Sequence, residues 1–190
     1  MKKLIQIALA AVALSQLQGC ATAVLGGAAA GAAVTLDRRT AGVYLGDQEI
    51  ELRAQSRLRE AFPQKSDSMS TTSYNRQVLI TGQVPDDAAR SRAGEIVKGI
   101  PDVRTVFNEL SVAGLTSLTS DATDTAITSK VKARLFRDEK APASKIKVVT
   151  EAAVVYLMGL VTQDEAQIAT EIARTTSGVS KVVILFEILN

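Results

Sequence analysis

The sequence has no histidine and only one cysteine, and these two shortages exclude several kinds of chemistry. Without histidine there is no His-based general acid–base catalysis, no Ser–His triad and no histidine-ligated metal. A single cysteine forms no internal disulfide and no cysteine-rich zinc site. Chemistry based on carboxylates alone or on a Ser–Lys pair is not excluded, but no arrangement of residues suggests it. We therefore expect a protein that is not an enzyme and that carries no metal and no cofactor.

An excess of charge of one sign is also lacking, because 22 basic residues are balanced by 20 acidic ones. The overall charge therefore predicts neither nucleic-acid nor membrane binding, and only the distribution of charge along the chain is informative. We expect no nucleic-acid partner, since the chain has no basic groove pattern with interleaved aromatic residues.

The N-terminal segment has the order of an export signal. Two lysines precede an apolar run from Leu4 to Leu14, and the motif Leu-Gln-Gly-Cys ends at Cys20. The run is too short to span a bilayer as a mature helix. A cysteine after a glycine at the cleavage point resembles the bacterial lipobox, which implies loss of the signal peptide 1–19 and acylation of Cys20, with palmitate among the acyl groups. The alternative is a plain secretory signal with an incidental cysteine.

Residues 20–45 are interpreted as a tether between the acylated cysteine and the folded part. Within them, residues 21–35 carry no charge and almost no large side chain. Such a segment buries too little apolar surface to fold alone. A helix lying on the membrane is the alternative, because the segment is rich in alanine, which favours helices.

From residue 46 onward the chain repeats itself. Residues 47–84 align with residues 124–161 at a constant shift of 77, and a V-x-[IL]-x-G-x-V segment ends both stretches. Internal duplication predicts two similar domains. We place them at 46–113 and 124–190, and we interpret the Ser/Thr-rich residues 114–123 as a linker.

Both repeats show the same succession of periodicities. Apolar residues at steps of four, such as Ile50, Ala54 and Leu58, predict a first helix. Two short strands follow, with turns near 75–76 and 151–152, then a second helix. A last strand, rich in Val, Ile and Phe, covers 103–112 in one repeat and 179–189 in the other. The predicted fold class is α+β: each unit is helix-strand-strand-helix-strand, with two helices on one face of a small three-stranded sheet.

Four glycines are assigned structural positions. Gly82 and Gly159 lie near the end of the second strand, where a bulge or a close helix contact would need the missing side chain. Gly99 and Gly178 lie where the second helices are expected to stop. A capping box is predicted at Thr162, three residues before a glutamate.

The tandem units, each with a V-x-[IL]-x-G-x-V strand before its second helix, resemble the BON domain family. The lipobox, the Ala/Gly-rich tether and the segment 37–42 (D-R-R-T-A-G) extend the resemblance to the dual-BON-domain outer-membrane lipoproteins of Gram-negative bacteria. The resemblance implies a non-enzymatic, lipid-anchored protein that faces the periplasm and supports envelope integrity. It also implies that the second BON domain binds anionic phospholipid of the inner leaflet.

The two repeats differ in charge where a functional difference is expected. Residues 47–70 hold four basic and five acidic side chains, whereas the matching residues 124–147 hold seven basic and three acidic ones. On a helical wheel of the later segment, Phe136 points away from the stripe that Ile127 begins. An aromatic ring within a basic rim suits a bilayer interface. The candidate phospholipid-binding residues are Ala126, Ser129, Lys130, Lys132, Ala133, Phe136, Arg137 and Lys140.

Other interpretations of this surface stay open. In one interpretation, Phe136 packs against the other domain or a partner protein. In another, the basic face is merely solvated. Lipid-binding relatives tend to carry a large aromatic residue where this chain has Ala126, so the depth of insertion is left open. The competing function is an adaptor for outer-membrane assembly, cell-wall or cell-division machinery. An envelope hydrolase is disfavoured because no nucleophile motif accompanies the missing histidine.

Overall fold

The computed structural model describes residues 37–63, 68–112 and 121–189. The predicted signal peptide, Cys20, the tether up to residue 36 and most of the linker lie outside these ranges. The chain divides into two units, Met1–Asp37 and Arg38–Asn190, and both predicted domains belong to the second. None of the helices in the described ranges is long and apolar enough to cross a bilayer.

The first repeat begins with helix α1 (Ala41–Ala61), which includes five residues that we assigned to the tether. Strands β1 (Met69–Tyr74) and β2 (Gln77–Val84) form an antiparallel hairpin. Helix α2 (Asp87–Lys98) then leads to β3 (Thr105–Asn108) and the two-residue β4 (Ser111–Val112), which both pair parallel to β2.

The second repeat has the same topology. Helix α3 (Asp121–Arg137) is followed by a 3-10 turn (Ala143–Lys145) and by the hairpin of β5 (Ile146–Glu151) and β6 (Val154–Val161). Helix α4 (Gln163–Arg174) connects to β7 (Lys181–Ile188), which pairs parallel to β6. The capping box predicted at the start of α4 is present. The α+β fold class is confirmed.

Each repeat has its own apolar core between the sheet and its two helices. In the first repeat the predicted stripe of α1 is buried against Val78, Ile80 and the apolar side of α2. In the second, Ile127 and the residues four and eight positions later on α3 are buried against Val155, Leu157 and α4. Because alternate strand residues face opposite sides, this burial places both helices on one face of each sheet.

Both hairpins turn through two residues with positive φ, a type I′ arrangement that matches the twist of the strands. These residues are Asn75 and Arg76 in the first repeat, and Ala152 and Ala153 in the second, one position later than we predicted. A buried aspartate of the preceding helix holds each turn. In the first repeat, the carboxylate of Asp47 accepts the amides of Asn75 and Arg76 at 2.8 and 2.7 Å.

The last strands are shorter than predicted. The 103–112 segment is interrupted after Asn108, whose side-chain amide donates to Arg90 O at 2.8 Å. The chain then turns Leu110 into the core, where its side chain is 2% exposed. Burial of Leu110 therefore ends the edge strand after four residues. The 179–189 segment forms an uninterrupted strand of eight.

The glycines contact neighbouring backbone rather than a helix. A Cβ on Gly82 would lie 1.9 Å from Ser68 O, and one on Gly159 would lie 2.7 Å from Lys145 O. The missing side chain thus leaves room for the backbone just before the neighbouring strand. The close contact is with this backbone and not with a helix, which corrects that part of the expectation. Gly99 caps α2 as predicted, but α4 already ends at Arg174, and Gly178 lies in the following loop against Ile127.

The two sheets pack on each other through the faces that carry no helix. Tyr74 and Leu79 of the first repeat contact Tyr156 and Met158 of the second in a third apolar cluster. Burial, with a smaller contribution from nearby carboxylates, raises the pKa of Tyr156 to about 12. The hydroxyl of Tyr74 donates to Lys145 O at 3.0 Å across the interface. The two repeats therefore form one folded unit.

Candidate functional site

Helix α3 is held in a defined rotation on the second sheet. At its N-terminal end, Asp124 accepts the amides of Ala152 and Ala153 at 2.7 and 2.9 Å. One turn later, Thr128 Oγ1 and Thr150 Oγ1 form a 2.7 Å hydrogen bond. These contacts and the buried apolar stripe fix which side of α3 faces solvent.

All eight candidate phospholipid-binding residues are exposed, and the structure places them on or just beyond the outer side of α3. The side chain of Phe136 is 71% exposed, the highest value among the large apolar residues that the structure describes. The prediction that this ring points away from the core is confirmed. In this folded unit Phe136 is not part of the apolar cluster between the repeats, so packing against the other domain is excluded, whereas packing against a partner protein stays open.

Four of these residues form one row along the helix, which we call the outer row: Ala126, Lys130, Ala133 and Arg137. Spacings of four, three and four residues place them on a single face. At a rise of about 1.5 Å per residue, the Cα atoms of Lys130 and Arg137 are about 10 Å apart along the axis. Among the described residues neither cation forms an ion pair, so both are available to an external anion.

Lys132 has different surroundings. It borders a cavity of about 390 Å³ that is also lined by Asp121, Asp124 and Glu151. Burial, then the charges of Asp124 and Asp121, raise the pKa of Glu151 above its ordinary value. A cation beside this acidic group is partly neutralised by the protein itself. We therefore expect Lys132 to contribute less to anion binding than the outer row.

Arg134, one of the seven basic residues counted in this segment, has a structural role. Its guanidinium donates to Ile172 O and Thr176 Oγ1, both at 2.8 Å, and to Thr175 Oγ1 at 3.0 Å. These bonds satisfy the C-terminal end of α4. The positive charge of the segment is thus divided between a structural arginine and the exposed cations.

The segment 37–42 connects the N-terminal end of the folded unit to the second repeat. Arg38 makes a bidentate ion pair with Glu165 at 2.6 and 2.8 Å and also donates to Leu160 O at 2.8 Å. The hydrogen bond from Arg38 to Glu165 lowers the pKa of the Glu165 carboxyl. Arg39 pairs with the buried Asp47 at 2.7 Å. The motif was noted in the sequence, but nothing in its spacing indicated a partner more than 120 residues away.

The guanidinium of Arg39 also lies 3.9 Å from the centre of the Tyr74 ring, at the domain interface. Cation–π contacts of this kind strengthen when they are shielded from water. Thr40 then caps α1, because its hydroxyl accepts the amide of Val43. Three consecutive residues therefore fix the start of the folded unit to both repeats.

Two exposed leucines on α1 were not predicted from the sequence. Leu45 and Leu52 are 67% and 69% exposed, and their spacing of seven residues places them on one face of the helix. The heptad spacing was visible in the sequence. However, residues seven positions apart have the same helical periodicity as the buried stripe of α1, so the sequence alone does not show that these leucines are exposed.

Comparison with known proteins identifies the repeats. The BON domain family matches residues 46–114 and 123–190. The chain belongs to this family. We call the first repeat BON1 and the second BON2.

Three relatives are similar over most of the chain. Outer membrane lipoprotein DolP of Haemophilus influenzae is 37% identical over 92% of this chain and 91% of its own length. The 21 kDa hemolysin of Actinobacillus pleuropneumoniae is 30% identical, over 78% of this chain and 77% of its own. Osmotically-inducible protein Y of Escherichia coli is 31% identical, over 80% and 78%. The protein is thus a dual-BON-domain protein similar to DolP, as the resemblance predicted.

Proposed function

We propose that this protein is a non-enzymatic outer-membrane lipoprotein that supports envelope integrity, and that BON2 binds anionic phospholipid through α3. In this proposal Cys20 carries the acyl anchor, and the folded unit faces the periplasm. Similarity to a relative named as an outer-membrane lipoprotein supports the location. The exposure of Phe136 beside the outer-row cations, which form no ion pair with any residue of the described ranges, is the observation that carries the lipid-binding part.

The anchor and the helix have different tasks. Acyl chains contribute about 0.8 kcal/mol for each buried CH₂ group, so a multiply acylated cysteine holds the protein on a membrane by itself. A basic residue near an anionic surface adds about 1 kcal/mol. The cations of α3 are therefore too weak to be the anchor. They orient BON2 on the membrane and favour regions rich in anionic lipid.

The small residues of the outer row suit this contact. Ala126 and Ala133 leave the space beside Lys130 and Arg137 open, so a phosphate can approach both cations without steric hindrance. The ring of Phe136, one position before Arg137, enters the interfacial region next to that phosphate. With alanine at 126, Phe136 is the sole aromatic side chain of α3 and BON2 inserts shallowly.

The experiment uses the fragment 38–190, which comprises the folded unit without the anchor, and vesicles with and without phosphatidylglycerol. We expect flotation only with the anionic vesicles. The double variant Lys130→Glu, Arg137→Glu should lower the affinity at least about 30-fold, since two attractions of about 1 kcal/mol are lost. Adding Lys132→Glu should abolish binding, and Phe136→Ala should weaken it while its salt dependence stays.

A matched control changes the same amount of charge on BON1. Arg59 occupies the position in α1 that Phe136 occupies in α3, and both Arg59 and Lys98 are exposed. The variant Arg59→Glu, Lys98→Glu should bind anionic vesicles nearly as well as the parent fragment. Equal losses in the two double variants would mean that net charge alone is sensed, and the proposed site on α3 would be wrong.

A second candidate function is the adaptor, which the exposed face of α1 favours. Leu45 and Leu52 form an apolar pair on a helix that carries no candidate lipid-binding residue. Apolar residues seven positions apart on one helix face are typical anchors of a helix that lies in a groove of a partner protein. Flotation of the purified fragment separates the two functions, since an adaptor needs a partner protein and lipid binding does not.

A further inference from the structure

The outer edge of the BON2 sheet is open. Strand β7 (Lys181–Ile188) pairs with β6 on one side, and no described strand pairs with its other side. The corresponding edge in BON1 is interrupted after Asn108 and continues only as a two-residue strand. Short or broken edges prevent sheets from pairing with other chains, whereas a long regular edge invites pairing.

An apolar groove runs beside this edge. It has a volume of about 590 Å³ and lies between β7 and α4, with Ala166, Ile184, Phe186 and Ile188 in its lining. Ile184 is 54% exposed and Ile188 is 42% exposed. Val182 and Phe186 pack on the BON2 core. The even-numbered side chains of β7 therefore face the helices, and two of them are uncovered.

The backbone determines which residues can pair with a further strand. Leu189 donates its amide to Val161 O at 2.9 Å, so the odd-numbered residues direct their backbone groups towards β6. Backbone groups of successive residues alternate between the two sides of a strand. The amides and carbonyls of residues 182, 184, 186 and 188 therefore point away from the sheet, where a new strand would receive them.

The edge is complementary to itself. An antiparallel second copy of β7 centred on Ile184 places residue 184 opposite itself and residue 182 opposite 186, so all outward backbone groups from 182 to 186 are paired. In that register Lys181 lies opposite Glu187 at both ends of the contact. Shifting the centre by one residue keeps the backbone pairing but moves Lys181 opposite Leu189. The charges therefore select the register centred on Ile184.

The acidic partner has a free acceptor atom for this contact. Glu187 Oε2 accepts hydrogen bonds from Arg104 at 2.6 Å, Asn75 at 2.8 Å and Gln77 at 3.4 Å. Among the described residues, no hydrogen bond reaches Glu187 Oε1. Lys181 is exposed and has no ion pair within the same ranges. The lysine of a second copy can thus approach Oε1 without displacing the contacts between BON1 and BON2.

We propose that two copies of this protein associate through antiparallel pairing of their β7 strands, which joins the two BON2 sheets into one sheet of six strands. The contact buries Ile184 against Ile184 of the second copy and pairs Lys181 with Glu187 at each end. It is small, so it is weak in dilute solution. Confinement on a surface raises the effective concentration of the copies, and the proposed lipid anchor would supply that confinement.

Cysteine cross-linking tests the register directly, because the fragment 38–190 contains no cysteine. In the variant Ile184→Cys, the two Cα atoms of a hydrogen-bonded pair would lie about 5.5 Å apart, which suits a disulfide. The matched control is Ile188→Cys on the same strand and groove. Its two copies would lie about 27 Å apart at 3.4 Å per residue, beyond the reach of a disulfide.

We expect disulfide-linked dimers of Ile184→Cys under mild oxidation and almost none of Ile188→Cys. Adding Lys181→Glu to Ile184→Cys should reduce the cross-linked yield about fivefold, since it opposes two like charges in each dimer. Equal cross-linking at 184 and 188, or none at either, overturns the proposal. So does a monomer mass at millimolar concentration in sedimentation of the unsubstituted fragment. None of these readouts involves lipid, so their failure is separate from failure of the proposed function.

Discussion

Replacement of Asp124 by alanine tests whether the hairpin turn of BON2 depends on helix α3. The two oxygens of this carboxylate accept one amide each, from Ala152 at 2.7 Å and from Ala153 at 2.9 Å. Both alanines have positive φ, 52° and 61°, which non-glycine residues adopt reluctantly. The bonds from Asp124 therefore hold a turn that the turn residues themselves disfavour.

The expected loss follows from the number and kind of these bonds. A hydrogen bond to a charged group contributes about 1.5–3 kcal/mol. Because Ala152 is exposed, water can replace part of the hydrogen bonding that the Asp124 carboxylate provides. Removal of the negative charge of Asp124 also relieves its repulsion with Glu151. We therefore expect Asp124→Ala to lower the free energy of unfolding by about 2–4 kcal/mol. Asp124→Asn should lose about half as much, because the amide keeps one acceptor oxygen.

The assay is urea unfolding of the fragment 38–190, followed by circular dichroism at neutral pH. The control is Asp121→Ala, one turn earlier on α3, where the side chain is exposed and makes no bond to the turn among the described residues. It should change the free energy of unfolding by less than about 0.5 kcal/mol. Similar losses for both variants would show that α3 loses stability for general reasons, and that the turn does not depend on Asp124.

Two further predictions concern carboxyl groups whose pKa values are shifted in opposite directions. Glu165→Gln should lower the free energy of unfolding by about 1 kcal/mol at neutral pH, since it breaks the pair with Arg38. The pair lowers the pKa of Glu165. The difference in free energy of unfolding between parent and variant should therefore persist down to the ordinary carboxyl pKa and shrink as the pH falls through the lowered value. A difference that stays constant with pH would contradict this prediction. Glu151→Gln should stabilise the fragment at neutral pH, because the raised pKa shows that ionisation of Glu151 costs the folded state free energy. This gain should disappear below the ordinary carboxyl pKa, where both states of the parent bind the proton; urea unfolding at a series of pH values measures both effects.

The parts of the fold that sequence analysis predicted correctly are those with a local and periodic signal. Steps of four apolar residues identified α1 and α3, and the repeat of 77 residues allowed one copy to support the other. The outward direction of Phe136 followed from the same wheel, because a buried stripe on one side fixes the opposite side. Periodicity therefore predicted the exposed surface as well as the core.

The parts that were missed depend on contacts between distant residues. The Arg38 pair with Glu165 joins residues 127 positions apart, and the interruption of the BON1 edge depends on how Leu110 fits between β2 and α2. The acidic surroundings of Lys132 arise because the end of β5 brings Glu151 beside α3. No spacing along the chain reports these distances, so a count of basic residues overestimated the free cations of α3.

The duplication offers an internal comparison that separates structure from function. Asp47 and Asp124 are equivalent, and both hold the following hairpin. Arg57 and Arg134 are also equivalent, and each donates to a carbonyl at the end of the second helix of its domain. Features kept in both copies therefore build the fold.

Among the exposed positions that diverge, the clearest is Phe136, which replaces the arginine of the first copy. A bulky apolar ring at a solvent-facing position weakens solubility and adds nothing to the core. The ring therefore contributes little to the stability of the fold. In the proposed function, the ring instead enters an anionic membrane surface, which the neighbouring cations of the outer row would attract.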